Sequence, residues 1–286
     1  MQIIRSVQKM QAWAGEVRIQ KQSVGFVPTM GALHEGHLSL IREAHKKADK
    51  IVVSIFVNPT QFGPHEDFKN YPRTFEKDQK LLIQEKVDVL FYPDAHSMYE
   101  EGFQTNIVLT ELSKPLCGEL RPGHFEGVAT VVLKLFNIVK PHFAFFGKKD
   151  FQQFLIIEKM VEDLNLDIHV VPCALIRDED GLALSSRNKR LSEEERKRAL
   201  VIPRALKMCQ EFYQKGIKNV AQLQSKVLEF VDKEGDLNIQ YFEIRDAKTL
   251  ESIEEIQKPT VCAIAAYVGN VRLIDNLLLG EKNDSV

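Results

Sequence analysis

The feature that most restricts the fold is an alternation. From Ser23 onward, short apolar runs rich in β-branched and aromatic residues take turns with segments of helical period. This pattern marks a mainly parallel sheet with crossover helices, because parallel neighbours need a connection long enough to hold a helix. Val24 to Val27 reads as a buried strand, Pro28-Thr29-Met30-Gly31 as a turn, and residues near His37 to Asp49 as a helix with Leu38, Ile41 and Ala44 on one side. Lys50 to Val57 is the second strand. A helix near Phe75 to Lys86, a strand Val87 to Tyr92, a helix near Val128 to Val139, a strand Phe143 to Phe146, a helix Gln152 to Leu164 and a strand Ile168 to Leu175 continue the series. The expected class is α/β with a doubly wound parallel sheet. After Leu191 the composition shifts. Ser192 followed by acids starts a helix, a second helix lies near Val220 to Val231, and strand-like runs fall at Tyr241 to Ile244, Val261 to Val268 and Arg272 to Leu278. Two domains are expected, 1–176 and a smaller C-terminal α+β domain, 177–286.

Composition excludes several classes. With 38 Lys+Arg against 40 Asp+Glu, a formal charge of −2 argues against a general nucleic-acid binder. Apolar residues at 44% and charged residues at 27% match a globular chain. No apolar run approaches the roughly 20 residues needed to span a bilayer, and Met1 to Met10 lacks the apolar core of a secretory signal. No membrane partner and a cytoplasmic location are the expectations. Cys117, Cys173, Cys209 and Cys262 form no CxxC pair, so they read as buried thiols rather than as zinc ligands or disulfides.

In open parallel sheets, ligands gather at the carboxyl ends of the strands. The first strand runs there into Met30-Gly31-Ala32-Leu33-His34-Glu35-Gly36-His37. Two imidazoles three residues apart at a helix start share a face and meet the positive end of the helix, which favours anions. Zinc fits less well, since zincins space their histidines as HExxH and no third ligand is evident. The second strand leaves through Asn58-Pro59-Thr60-Gln61, where Gln61 carries both donors and acceptors suited to hydroxyl and carboxylate groups. The polar stretch Asn58 to Arg73 is long for a connection that usually takes roughly two to six residues, and is a candidate lid. Arg121-Pro122-Gly123-His124 is a tight basic turn. Gly147-Lys148-Lys149-Asp150 joins a strand to a helix that carries Gln153, and its lysines are point charges placed for phosphate. Leu184-Ser185-Ser186-Arg187 combines hydroxyls with a guanidinium, another oxyanion grip. Taken singly, each segment also reads as a solvated turn or cap.

Together these blocks resemble the pantothenate synthetase family, the pantoate:β-alanine ligases of the HxGH nucleotidyltransferase superfamily. PTMGALHEGH, FVNPTQFGPHEDFKNYPRT, RPGHFEGVATVV, GKKDFQQ and DGLALSSRN stand in the family's order and spacing, and LIDNLLL fits its small domain. Two positions depart from the commoner pattern: His142 where Asp is frequent, and Lys148 where Glu is frequent. The resemblance implies a Rossmann-like domain over 1–176 that binds ATP and pantoate, with 177–286 as a cap. It implies ATP-dependent condensation of D-pantoate with β-alanine through a pantoyl adenylate. By correspondence, His34, His37 and Lys149 are catalytic, and Met30 to His37, Gly147 to Asp150, Ile176 and Leu184 to Arg187 line ATP. Gln61 and Gln153 hold pantoate, with Gln61 also near β-alanine, and Arg121 and His124 are further pocket residues. Mg²⁺ is implied with no protein ligand assigned, as is a homodimer. Two alternatives remain open on residues alone: a nucleotidyltransferase acting on a phosphorylated acceptor, and a non-catalytic nucleotide-binding regulator on the same fold.

Overall fold

The alternation resolves into parallel strands β1 (Gln2–Ile4), β2 (Val24–Thr29), β3 (Lys50–Ile55), β4 (Val89–Phe91), β5 (Phe143–Gly147) and β6 (His169–Cys173). They form one sheet of order β1-β4-β3-β2-β5-β6, with every neighbouring pair parallel. Between them run helices α1 (Val7–Ile19), α2 (Glu35–His45), α3 (Phe75–Gln84), the single turns α4 (Ala95–Met98) and α5 (Cys117–Leu120), α6 (His124–Val139) and α7 (Phe151–Asp163). The computed structural model describes residues 1–64, 66–234 and 237–280. Within it the chain divides into two units: Met1–Lys114, Gly118–Lys148 and Gln152–Leu175 in the first, and Pro115–Cys117, Lys149–Phe151 and Ile176–Val286 in the second.

Successive side chains on a strand point to opposite faces, and the first unit uses both. On one face Val27, Ile51, Val53 and Ile55 share a buried cluster with Leu38, Ile41 and Ala44 of α2 and Leu82 of α3. On the other, Phe26 meets Phe136 of α6 edge-on at 6.4 Å between ring centroids, and Phe136 meets Phe146 at the same separation. Deleting a ring such as Phe26, which is fully buried, costs about 3–5 kcal/mol. The strand order turns back between β2 and β5. That switch point is where crossovers diverge and leave a crevice, and the chain passing from β2 into α2 and out of β5 carries His34, His37, Gly147 and Lys148.

β1 and α1 precede the alternation read from sequence. β1 is a three-residue edge strand whose partner, β4, is distant in the chain, so no local period announces it. α1 has a Ser6 cap accepting from the Lys9 amide, and buries Met10, Ala14 and Val17. In the second unit, the helix expected after Ser192 is divided into α8 (Glu193–Ala199) and α9 (Val201–Gln214). Pro203 explains the break, because its ring opposes the carbonyl four residues earlier, that of Ala199. With α10 (Val220–Glu234) these helices accompany an antiparallel sheet of β7 (Asn238–Asp246), β8 (Thr260–Val268) and β9 (Val271–Leu279), with β8 central. Leu206, Cys209, Val227, Ile244 and Ile264 belong to its core. None of the four cysteines forms a disulfide and all are buried, and burial pushes the Cys173 thiol up to about 11. Among the described residues, no helix is long and apolar enough to cross a membrane.

Candidate active site

The chain leaves β2 and turns sharply before α2. Gly31 and Ala32 are both left-handed, with φ of +82° and +52°. Glycine fits the first position for a second reason: a Cβ there would lie 3.0 Å from Ile55 Cγ2 and 3.2 Å from Asp78 Oδ2. Ala32 has no such latitude, and a left-handed L-residue costs about 1–2 kcal/mol. Four successive amides are accounted for within the protein. Gly31 N–H donates to Thr29 Oγ1 at 3.1 Å, Ala32 N–H to Asp78 Oδ2 at 2.9 Å, Leu33 N–H to Asp78 Oδ1 at 2.9 Å, and His34 N–H to His37 Nδ1 at 3.4 Å. The loop therefore presents imidazoles rather than a cradle of amides. His34 occupies the cap position of α2 and its ring lies 4.1 Å from that of His37. Because His37 Nδ1 accepts, the neutral ring carries its proton on Nε2, the nitrogen suited to donate to a ligand oxygen. Glu35 is exposed and ion-paired with Arg42, while the Gly36 carbonyl accepts from Ser39 Oγ.

After β3 a short 3₁₀ turn, Pro59–Gln61, places Gln61 in a buried position. α6 makes room for it at Gly127, where a Cβ would meet the Thr60 carbonyl oxygen at 2.5 Å and Gln61 N at 2.7 Å. Asn58, almost fully buried, orients the amide. Its Nδ2 donates to Gln61 Oε1 and to the Gly127 carbonyl, each at 3.1 Å, while its Oδ1 accepts from Thr60 Oγ1 at 3.1 Å and from Tyr99 OH at 2.9 Å. With its oxygen engaged, Gln61 offers its NH₂ group, which lies 3.3 Å from Met30 Sδ. Gln153 is half-buried in the first turn of α7.

Arg121 and His124 join a network that holds the segment following Gln61. Arg121 donates to both oxygens of Glu66 at 2.5 and 2.7 Å, and its Nη1 lies 2.9 Å from His124 Nε2. His124 Nδ1 lies 2.8 Å from the Gln61 carbonyl oxygen. A carbonyl only accepts and a guanidinium only donates, so this ring is neutral with its proton on Nδ1. Burial raises the Glu66 carboxyl, but the Arg121 hydrogen bond and charge together outweigh it and hold the group below its usual value. Phe62 packs against Phe68 and Tyr71 at 5.4 and 5.9 Å, giving the candidate lid a small core of its own; His65 lies outside the described residues.

Gly147 ends β5 and Lys148 follows it, half-buried. In the second unit, the Lys149 ammonium lies 3.6 Å from Asp150 Oδ1, and the Lys149 carbonyl accepts from Asn276 Nδ2 at 2.8 Å. A hairpin pairs Arg177 with Ala183 and, through the Leu184 amide and Ile176 carbonyl at 3.0 Å, sets those two residues side by side. Asp275 grips the hairpin by accepting twice from Arg177 at 2.7 and 3.0 Å. Ser185 caps the next turn by accepting from the Arg187 amide, and Ser186 is buried.

A family model described as pantoate-beta-alanine ligase matches residues 2–278. The chain belongs to that family. It is 51% identical over 280 residues to the pantothenate synthetase of Thermotoga petrophila, covering 98% of this chain and all of the relative. The Geobacter sulfurreducens pantothenate synthetase is 49% identical over 282 residues, covering 99% of this chain and 100% of its own. Crystal structures agree. Pantothenate synthetase from Thermus thermophilus superposes with a TM-score of 0.91 at 42% identity, covering 97% of this chain and 99% of that one. The Francisella tularensis pantoate-beta-alanine ligase, complexed with beta-gamma ATP and beta-alanine, gives 0.81 at 36% identity over 97% of each chain.

For a pantoate-beta-alanine ligase, the departure at His142 has a structural account. His142 Nδ1 accepts the Val24 amide at 3.0 Å, the acceptor role a carboxylate would fill, and its own amide donates to the Val24 carbonyl. Asn58, Gly127, Tyr99 and Asp78 are the site residues that sequence reasoning left unused. Gly127, Tyr99 and Asp78 work across long sequence separations, whereas Asn58, already in the Asn-Pro-Thr-Gln segment, also contacts Thr60 and Gln61 locally.

Proposed function

We propose that this chain catalyses the ATP-dependent condensation of D-pantoate with β-alanine, yielding pantothenate, AMP and pyrophosphate through a pantoyl adenylate. Full-length membership of the pantoate-beta-alanine ligase family carries this reading. A pantoate carboxylate oxygen attacks the α-phosphorus of ATP, and the bond to pyrophosphate breaks. Charge builds on phosphoryl oxygens in that step, so preorganised donors matter more than a protein nucleophile. His37 supplies its Nε2 proton as a donor there and His34 assists. Lys149, Ser185, Ser186 and Arg187 are the proposed polyphosphate contacts, and Met30, Ile176 and Leu184 the apolar ones. Gln61, with its NH₂ group presented, and Gln153 hold pantoate. The amine of β-alanine then attacks the acyl carbon, the bond to AMP breaks, and the amine loses its proton. Sheltering the adenylate from hydrolysis is the proposed role of the segment after Gln61.

Among the described residues, no group of three or more His, Cys, Asp or Glu could hold a metal ion. Asp150, beside Lys149, is the carboxylate that would help hold Mg²⁺ together with the nucleotide. Mg²⁺ there would neutralise polyphosphate charge. A cytoplasmic homodimer completes the proposal. The test is isotope exchange between pyrophosphate and ATP with D-pantoate and Mg²⁺ before β-alanine is added. Exchange is expected, and a folded, ATP-binding preparation without it would remove the adenylate route.

A further inference from the structure

Asp78 is an acidic side chain in the interior of the first unit, 1% exposed on α3, and the proposed chemistry gives it no task. Its oxygens accept from the Ala32 and Leu33 amides, each at 2.9 Å, and from Thr74 Oγ1 at 3.1 Å. No lysine or arginine is among those contacts. A buried carboxylate is unfavourable unless hydrogen bonds replace its hydration, and packing alone would be served by an apolar residue. What the carboxylate supplies is two acceptor oxygens for two successive amides, in a backbone that is left-handed at Gly31 and Ala32. Such strained segments persist only when the surroundings over-determine them, and they gather at functional sites. The next amide in line, that of His34, meets His37 Nδ1 at 3.4 Å. Asp78 thus fixes the peptide planes immediately ahead of the amide that sets the His37 tautomer.

We propose that Asp78 is a positioning residue for the His34 and His37 pair, holding the strained turn so that His37 keeps its proton on Nε2. The inference rests on the function proposed above for the activity it predicts, but the positioning can be read without substrates.

Asp78→Asn is the discriminating variant. It is nearly isosteric, yet offers one acceptor where two amides point, and sets an NH₂ group against the other N–H. The measurements are pyrophosphate–ATP exchange with pantoate varied, and the imidazole nitrogen shifts of His37 in ¹⁵N-labelled protein without ligands. Turnover is expected to fall about 10²-fold, the scale of a donor displaced by roughly 1 Å, with the pantoate KM within about twofold. The His37 nitrogens, distinct in the wild type, are expected to move toward averaged tautomers. Wild-type turnover, a KM rising in step with the loss of turnover, or an unaltered His37 tautomer would each overturn the proposal. If Asp78→Asn does not fold, Thr74→Val removes only the hydroxyl that orients the carboxylate. It is expected to show about a threefold loss with the same tautomer change, and unaltered nitrogen shifts would overturn the proposal. Should the wild type show no exchange, the function fails while the nitrogen shifts still decide the positioning.

Discussion

Two segments leave neighbouring strands at the same end of the sheet and are held by opposite means. The loop after β2 is fixed through its backbone: four successive amides are satisfied, two by a buried carboxylate, and Ala32 is held in a left-handed conformation. The segment after β3 is fixed through side chains, by the Asn58, Gln61 and Tyr99 network and by the Glu66, Arg121 and His124 network. Backbone fixation sets the position from which the imidazoles project, which suits the electrostatic preorganisation proposed for a reacting phosphoryl group. Side-chain fixation sets which face of one amide a substrate meets, and can be adjusted residue by residue. On the function proposed above, the contrast predicts that changes in the first segment act on rate and changes in the second on substrate recognition.

The largest effect should come from the first segment. His37→Ala is expected to lower turnover roughly 10²- to 10³-fold, the scale for one transition-state donor, with the pantoate KM little changed. Steady-state kinetics check this, and a rise in KM at constant turnover would invert the assignment. Asn58→Ala should show the complementary pattern. Releasing the Gln61 amide is expected to raise the pantoate KM about tenfold, the equivalent of about 1.4 kcal/mol, with a smaller change in turnover. Equal losses in both variants would dissolve the distinction.

The smallest effect lies at the rim of the second segment. Glu66→Gln weakens a half-buried pair and should change the pantoate KM by less than about threefold near neutral pH. Its pH signature is sharper. Because the folded Glu66 carboxyl is held below its usual value, the stability it contributes is present above the unfolded carboxylate range and is lost as pH falls through the folded value. Thermal unfolding followed from pH 7 into the acid range should therefore show a component in the wild type that the variant lacks.

Much of this arrangement was legible in one dimension. The parallel sheet followed from alternating runs, because each buried strand and each one-sided helix writes its burial into local spacing. The His34 and His37 pair was legible for the same reason, three residues apart at a helix start. α1 was also readable in principle, since Met10, Ala14 and Val17 keep helical spacing after a Ser6 cap. β1 was not, since its pairing with β4 is entirely non-local. Arg121 and His124 read as a tight basic turn, but their partners Glu66 and the Gln61 carbonyl lie far away in the chain, beyond any local pattern.

The sequence by itself determined the fold class, the family and the identity of the chemical groups, all of which depend on residue type and short-range order. Tertiary structure alone decided how those groups are aimed. A carboxylate on α3 reaches back to the amides of Ala32 and Leu33, and a helical glycine at 127 admits the turn that bears Gln61. These are long-range contacts in which one partner's signal is merely an ordinary Asp or Gly. Hydrogen-bond direction, and with it the tautomer of His37 and the face of Gln61, exists only once both partners are in place.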